Sequence, residues 1–437
     1  KEADVFLHIA MKVAKNCRYV EPQFTLRFDK ETSEEIWDEA LDALGAGATY
    51  PTLYNDDVNV PAVMYGMRVD EKAAEQYVPF GCTEFVIQGQ STGTPNICIN
   101  LLKLLTIYMN DGIDPIDGKR KSGPVPLKKL EEYQTFEEFY DGYKALLDYY
   151  LDLSVKAQYH SYEVMNQHVS FLFSSLLTDD CIARGKALLD GGVRYLGGTN
   201  ETYGNINTSD SLWVIRDLVF NQKKYTLRQL NDAMLANFNG YEALRKDCLN
   251  CDKYGNDLET ADTMANDLYE FVAKGVRDRG IAIGMQYFLI VISNNQLNTE
   301  WGNRTAASPD GRLSCMYMNP ANNPQGGANK SGPTAMLNSL AKFDAKYHGG
   351  SVQNIKFSPS MFNENRAVIK SLFKTYFAKG GCHLMVTVVD KGVLEDAVEH
   401  PENYPDLIVR VSGFSAVFVD LSPNIQQELL SRVLYDK

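Results

Sequence analysis

Apolar, β-branched runs alternate with helix-length amphipathic segments along nearly the whole chain, and this alternation constrains the fold more than any other feature. It is the pattern of layered α/β architecture. Strand-like runs occupy 23–28, 50–54, 286–292, 351–357 and 383–390, with two more at 407–411 and 416–419. Helical periodicity covers 33–44, 97–109, 136–168, 179–189, 210–220, 227–238, 260–279, 334–342, 364–378 and 424–433. Thr32 or Ser33, Thr135 and Ser422-Pro423 supply N-terminal caps, and Pro333 can open a helix. There is no internal repeat and no low-complexity linker.

Composition excludes several classes of function. With 437 residues, 44% of them hydrophobic, the chain can bury one large core or two ordinary ones. A net charge of −13, without a basic tract interleaved with aromatics, argues against nucleic acid and anionic membranes as partners. No apolar run reaches the roughly 18 residues of a membrane span. Lys1-Glu2-Ala3-Asp4 begins neither a signal nor a transit peptide, so a cytoplasmic location is expected. Eight scattered cysteines fit a reducing compartment. The one close pair, Cys248 and Cys251, lacks the further ligands of a metal site and is expected to be structural, so no metal is expected.

Two loops carry candidate chemistry. Gly81-Cys82-Thr83-Glu84 follows a short strand-like run, and Gly413 sits at a tip between the last two strand-like runs. Taken alone, Gly413 reads as a turn glycine with positive φ, Cys82 as a small buried hydrophobe and Glu84 as a surface carboxylate. The Gly191–Gly198 stretch lacks the Lys-Ser/Thr of a phosphate loop and reads as a loop beside packed elements.

The order of motifs changes that reading. Gly81-Cys82-x-Glu84, Ser308-Pro309-Asp310-Gly311-Arg312, Ser331-Gly332-Pro333-Thr334-Ala335 and Arg410-Val411-Ser412-Gly413-Phe414-Ser415-Ala416 occur in sequence. Together with the segment 50–58, this set resembles the glycyl radical enzymes, specifically the glycerol/diol dehydratase and choline lyase branch, over essentially the whole chain. The resemblance implies a ten-stranded α/β barrel of two five-stranded half-barrels surrounded by helices. This chain would supply the C-terminal half (1–305, carrying the cysteine loop) and a glycyl radical domain (306–437). It also implies a stable radical on Gly413 as the only cofactor, a transient thiyl on Cys82 and an acid or base at Glu84. The radical would be installed by a separate radical S-adenosylmethionine activase, which itself holds the iron-sulfur cluster. A homodimer, a small-molecule substrate and an N-terminal half, in the same or a separate chain, complete the implied partners.

The residue types suit this chemistry. A radical at a glycine Cα is delocalised by the two flanking amides, and no Cβ crowds it. A thiol relays hydrogen because its S–H bond is comparable in strength to the C–H bonds of activated substrates. A carboxyl group in a dry site transfers the proton that the radical cannot. Thr83 stands where pyruvate formate-lyase has a second cysteine, which disfavours acyl transfer. Phe414 replaces the family's usual tyrosine, and residues 383–388 depart from its strand sequence. Asn295, Asn298 and Glu300 are candidate contacts for a hydroxyl-bearing substrate. The expected activity is dehydratase-type elimination; carbon-nitrogen or carbon-sulfur lysis, arylacetate decarboxylation and a non-catalytic homologue are the alternatives.

Overall fold

The structure is a computed structural model that describes residues 2–92, 95–293 and 296–436. Its strands are β1 (Thr25–Phe28), β2 (Thr52–Asn55), β3 (Tyr77–Phe80), β4 (Glu84–Ile87), β5 (Pro95–Asn100), β6 (Gly197–Tyr203), β7 (Tyr287–Ile292), β8 (His348–Ser351), β9 (Asn354–Phe357), β10 (His383–Val388), β11 (Ile408–Arg410) and β12 (Ser415–Val417). The expected α/β architecture is present. One four-stranded sheet has the order β1-β2-β10-β9 and the other β5-β6-β7-β8, while β3-β4 and β11-β12 form separate antiparallel pairs. The β5–β8 sheet is parallel throughout. In the other sheet only the β2–β10 pairing is antiparallel.

Helices Phe136–His168 and Glu259–Ala282 pack behind the parallel sheet. The first sheet is backed by Glu34–Gly45 and Arg366–Ala378. There Phe28 meets Trp37 and Phe377 edge-on, each with ring centroids 4.7 Å apart, the favoured geometry for aromatic pairs.

Several elements differ from the sequence expectation. Residues 97–100 belong to strand β5, and Asn100, whose side chain accepts from the Lys103 amide at 2.9 Å, starts the helix only at Leu101. The run 351–357 is two strands in two different sheets. Between them the Val352 amide donates to Ile292 and the Gln353 carbonyl accepts from Met385, so the chain crosses from one sheet to the other there. The 179–189 segment is α-helical only over Cys181–Arg184, bounded by Asp180 and Gly185 in left-handed conformation, and ends in a π-helical turn that runs over Leu188–Gly192. Strand β6 was not expected: its first residues, Gly197 and Gly198, fall in the stretch read as a loop, and Thr199, Asn200, Glu201 and Thr202 carry no apolar signal, yet all four are buried.

The C-terminal segment has its own apolar cluster. Val389, Leu394, Ala397, Val409, Val411, Phe418, Ile425 and Leu429 pack together, with Phe414 against them. The β11-β12 hairpin is thus anchored by a compact local core and lies beside β10.

Candidate active site

Strands β3 and β4 form a hairpin paired from Tyr77↔Ile87 to Phe80↔Glu84, leaving Gly81, Cys82 and Thr83 as its tip. The Thr83 amide closes the turn on the Phe80 carbonyl at 3.1 Å. The turn needs left-handed backbone at Gly81 (φ +54°) and Thr83 (φ +100°). For a β-branched residue the latter is strained, by about 1–3 kcal/mol. Gly350 of β8 holds it in place: a Cβ there would strike the Thr83 carbonyl. The parallel sheet therefore carries the cysteine loop on a spot cleared of side chains.

Gly413 comes to the same loop from the other end of the chain. Its φ lies outside the left-handed region, so the expected positive-φ turn is not what requires glycine here. The requirement is space. A Cβ on Gly413 would fall on the Cα, Cβ and Sγ of Cys82, and the residue is buried. The Gln23 side chain donates to the Gly413 carbonyl at 2.9 Å. Ala321, Val352 and Met385 pack around Cys82 from three further segments.

The electrostatics favour neutral groups. Burial, reinforced by Glu84 and Glu201, pushes the Cys82 thiol up to about 12, against an opposing pull from Arg410. The thiol therefore keeps its hydrogen at neutral pH. Glu84 is 3% exposed, and burial, with a contribution from Glu201, raises it to about 8 even though the Cys82 amide and its own donate to it. Its Oε2 has no hydrogen-bond partner among the described residues. Burial also lowers His348 to about 4 and holds His383 well below the ordinary histidine range.

Three residues outside the sequence-derived set stand close by. Arg410 is 1% exposed; it donates to Ser415 Oγ at 3.3 Å, lies 5.3 Å from the Tyr50 ring centroid and leaves Nη2 unpartnered among the described residues. Glu201 accepts from the Tyr203 hydroxyl and from the Cys98 thiol at 3.7 Å. Burial and Glu201 push Cys98 up to about 12. A carboxylate inside a strand with no apolar alternation was the one sequence signal for Glu201.

The proposed substrate contacts fare differently. Asn298 is buried, but its backbone and side chain are both tied to Met318. Glu300 is exposed and ion-paired with Arg304 at 3.2 Å. Asn295 lies outside the described residues. The Ser308–Arg312 turn is a structural knot: Asp310 accepts from Ser308 and Asn207, each at 2.6 Å, and buried Arg312 donates to the Gly302 and Ala306 carbonyls, each at 2.8 Å. Cys251 donates to the Asp247 carbonyl at 3.4 Å.

Comparison with known proteins gives this arrangement its relatives. The pyruvate formate lyase-like family profile matches residues 3–297, and the glycine radical profile matches 318–419. The chain belongs to the pyruvate formate lyase-like family. It is 30% identical over 428 residues to trans-4-hydroxy-L-proline dehydratase of Clostridioides difficile, covering 97% of this chain and 54% of that enzyme. The crystal structure of that hydroxyproline dehydratase with its substrate bound superposes with a TM-score of 0.93 at 28% identity, over 98% of this chain and 54% of the other. The glycerol-bound form of the B12-independent glycerol dehydratase from Clostridium butyricum gives 0.92 at 29% identity, over 98% and 55%. The chain thus spans about half the length of these relatives. As a pyruvate formate lyase-like chain with a glycine radical segment, it carries the family's protein-based radical domain. Among the described residues no helix is long and apolar enough to cross a membrane.

Proposed function

We propose that this chain carries the radical centre of a glycyl radical eliminase that dehydrates a small hydroxylated compound. The contact between Gly413 and Cys82, too close for any side chain at position 413, is the observation that carries the reading. An activase removes a hydrogen atom from the Gly413 Cα. The radical passes to sulfur when the Cys82 hydrogen moves to that Cα. The thiyl then takes hydrogen from a hydroxyl-bearing substrate carbon, restoring the thiol. Glu84 supplies the proton with which the adjacent hydroxyl departs as water, the hydroxyl on the radical carbon gives up its own proton as it becomes a carbonyl, and the product radical recovers its hydrogen from Cys82. A thiol held neutral is what a hydrogen-atom relay needs, since a thiolate has no hydrogen to give. Burial suits both acid groups to this work.

The dehydratases among the relatives favour water as the leaving group over amine, sulfite or carboxylate. The reading assigns S-adenosylmethionine and an iron-sulfur cluster to the activase and none to this chain, and it takes a second copy as a further partner. The boundary near residue 306 is part of the same reading. So is a polypeptide equivalent to the relatives' N-terminal half, in the same or another chain, for which exposed Phe6, Leu172 and Phe173 offer apolar surface. Anaerobic incubation with a radical S-adenosylmethionine activase tests the proposal by electron paramagnetic resonance. A glycyl doublet that disappears in Gly413→Ala supports it, and a Gly413→Ala protein with full activity overturns it.

A further inference from the structure

The interior wall holds a second carboxyl beside Glu84. On β6, Asn200 points outward, its side chain donating to Ser154 Oγ of the helix Phe136–His168 at 2.7 Å. Successive side chains alternate across a strand, so Thr199, Glu201 and Tyr203 face the opposite way, towards the side that carries the cysteine hairpin. The packing agrees: Thr199 Cγ2 would lie 3.6 Å from a Cβ at Gly349, the neighbour of the glycine under Thr83. Tyr203 meets Trp301 edge-on at 5.3 Å and comes within 3.3 Å of Ser293. Glu201 is 3% exposed and close enough for its charge to act on both Cys82 and Glu84.

Two buried carboxyls within reach of each other's charge need not behave alike, because each disfavours the charge of the other. Their hydrogen-bond partners differ here. Two donors, Tyr203 and Cys98, converge on Glu201 Oε2, whereas Glu84 Oε2 has no partner among the described residues. The other charged or titratable groups facing the pair are Arg410 on β11, Tyr54 on β2 and Cys82 at the hairpin tip, with neutral His383 beside Arg410.

We propose that Glu201 and Glu84 form the acid–base pair of one site, Glu201 taking the proton from the hydroxyl that becomes the carbonyl and Glu84 giving a proton to the hydroxyl that leaves. This rests on the eliminase reading. In the substrate radical, the O–H bond on the radical carbon breaks towards Glu201 while the neighbouring C–O bond breaks towards the oxygen protonated by Glu84. A carbonyl and water form, the unpaired electron moves to the neighbouring carbon, and no charge is left over. The proton then returns from Glu201 to Glu84.

The test separates the pair from the radical chemistry. Infrared difference spectra of the protein across pH, before activation, report the protonated carboxyl band that is missing in Glu84→Gln. Its midpoint is expected near the raised value of Glu84 and should fall by about one pH unit in Glu201→Gln, where the neighbouring charge is removed, and stay raised in Glu201→Asp. After activation, Glu201→Gln should keep the glycyl doublet and lose turnover of a panel of vicinal diols by about 100-fold or more. An unchanged midpoint, or wild-type turnover in Glu201→Gln, overturns the pair. If Glu201→Gln does not fold, wild-type turnover in Glu201→Asp overturns it equally, because the shorter side chain withdraws the carboxyl. If the wild-type protein forms no doublet or consumes no diol, the eliminase reading fails and the infrared midpoint alone decides whether the two carboxyls share a site.

Discussion

At the scale of single residues, Glu84 links structure to pH. Burial raises its carboxyl to about 8, so on the proposed reading proton donation should be full well below that pH and decline as pH rises through it. In a pH profile of kcat the descending limb should lie near 8. Glu84→Gln should reduce kcat by about 10²–10⁴-fold while leaving the glycyl doublet intact. The same shift has a sign for stability. The folded state binds the Glu84 proton more tightly than the unfolded chain, so stability is highest below the ordinary carboxylate range. It falls as pH rises towards 8, by at most about 1.4 kcal/mol per unit. Denaturant titrations of wild type and Glu84→Gln should therefore converge at pH 4 and diverge by pH 8, with the variant the more stable. Cys82 makes a separate prediction. In D2O its S–H becomes S–D, so hydrogen exchange with Gly413 should collapse the glycyl doublet, which is split by the α hydrogen, to a singlet. Cys82→Ser should retain the doublet, because an O–H bond is too strong to exchange with the radical.

At the scale of elements, the cysteine loop depends on the strand beneath it. Gly350→Ala places a Cβ against the Thr83 backbone, at a φ of +141° that side chains rarely adopt. The expected cost is about 1–3 kcal/mol, read as a lowered Tm. A loop displaced by even ~1 Å should lose about 100-fold in turnover. Gly350 was not legible in the sequence, because nothing local marks a glycine whose reason is a loop some 270 positions upstream. Other elements were readable where local physics suffices. The helices capped by Ser33 and Thr135 begin where the caps place them, and β7 and β10 are the apolar runs they look like. Strand β6 was not, since its buried polar side chains defeat any pattern based on hydrophobicity, and Glu201 went unnoticed with it. The motif order led to Cys82, Glu84 and Gly413, and the structure brings the loops that carry them together. It assigns Glu300 to a surface ion pair and Asn298 to backbone ties.

At the scale of the whole molecule, the hairpin carrying Gly413 packs on its own apolar cluster as well as on the body. A buried Gly413 is out of reach of any second protein until that hairpin moves. Segments with a local core can open below the global unfolding free energy. Hydrogen exchange should therefore show amides of β11 and β12 opening more readily than those of β6 and β7. Gln23→Ala removes the hydrogen bond to the Gly413 carbonyl, worth about 1 kcal/mol. It should raise the open population roughly fivefold, speed radical installation by a similar factor and quicken chain cleavage at Gly413 on exposure to air.

The missing side chain at position 413 acts as an interlock. On the proposed reading, a tip seated against Cys82 can exchange hydrogen with sulfur but cannot meet an activase; lifted away, it can be charged but is cut off from Cys82. Loading and turnover thus exclude each other in time. A molecule caught between the two states holds its oxidant where oxygen can reach it, so the interval for which the tip stays lifted sets how long each charged copy survives.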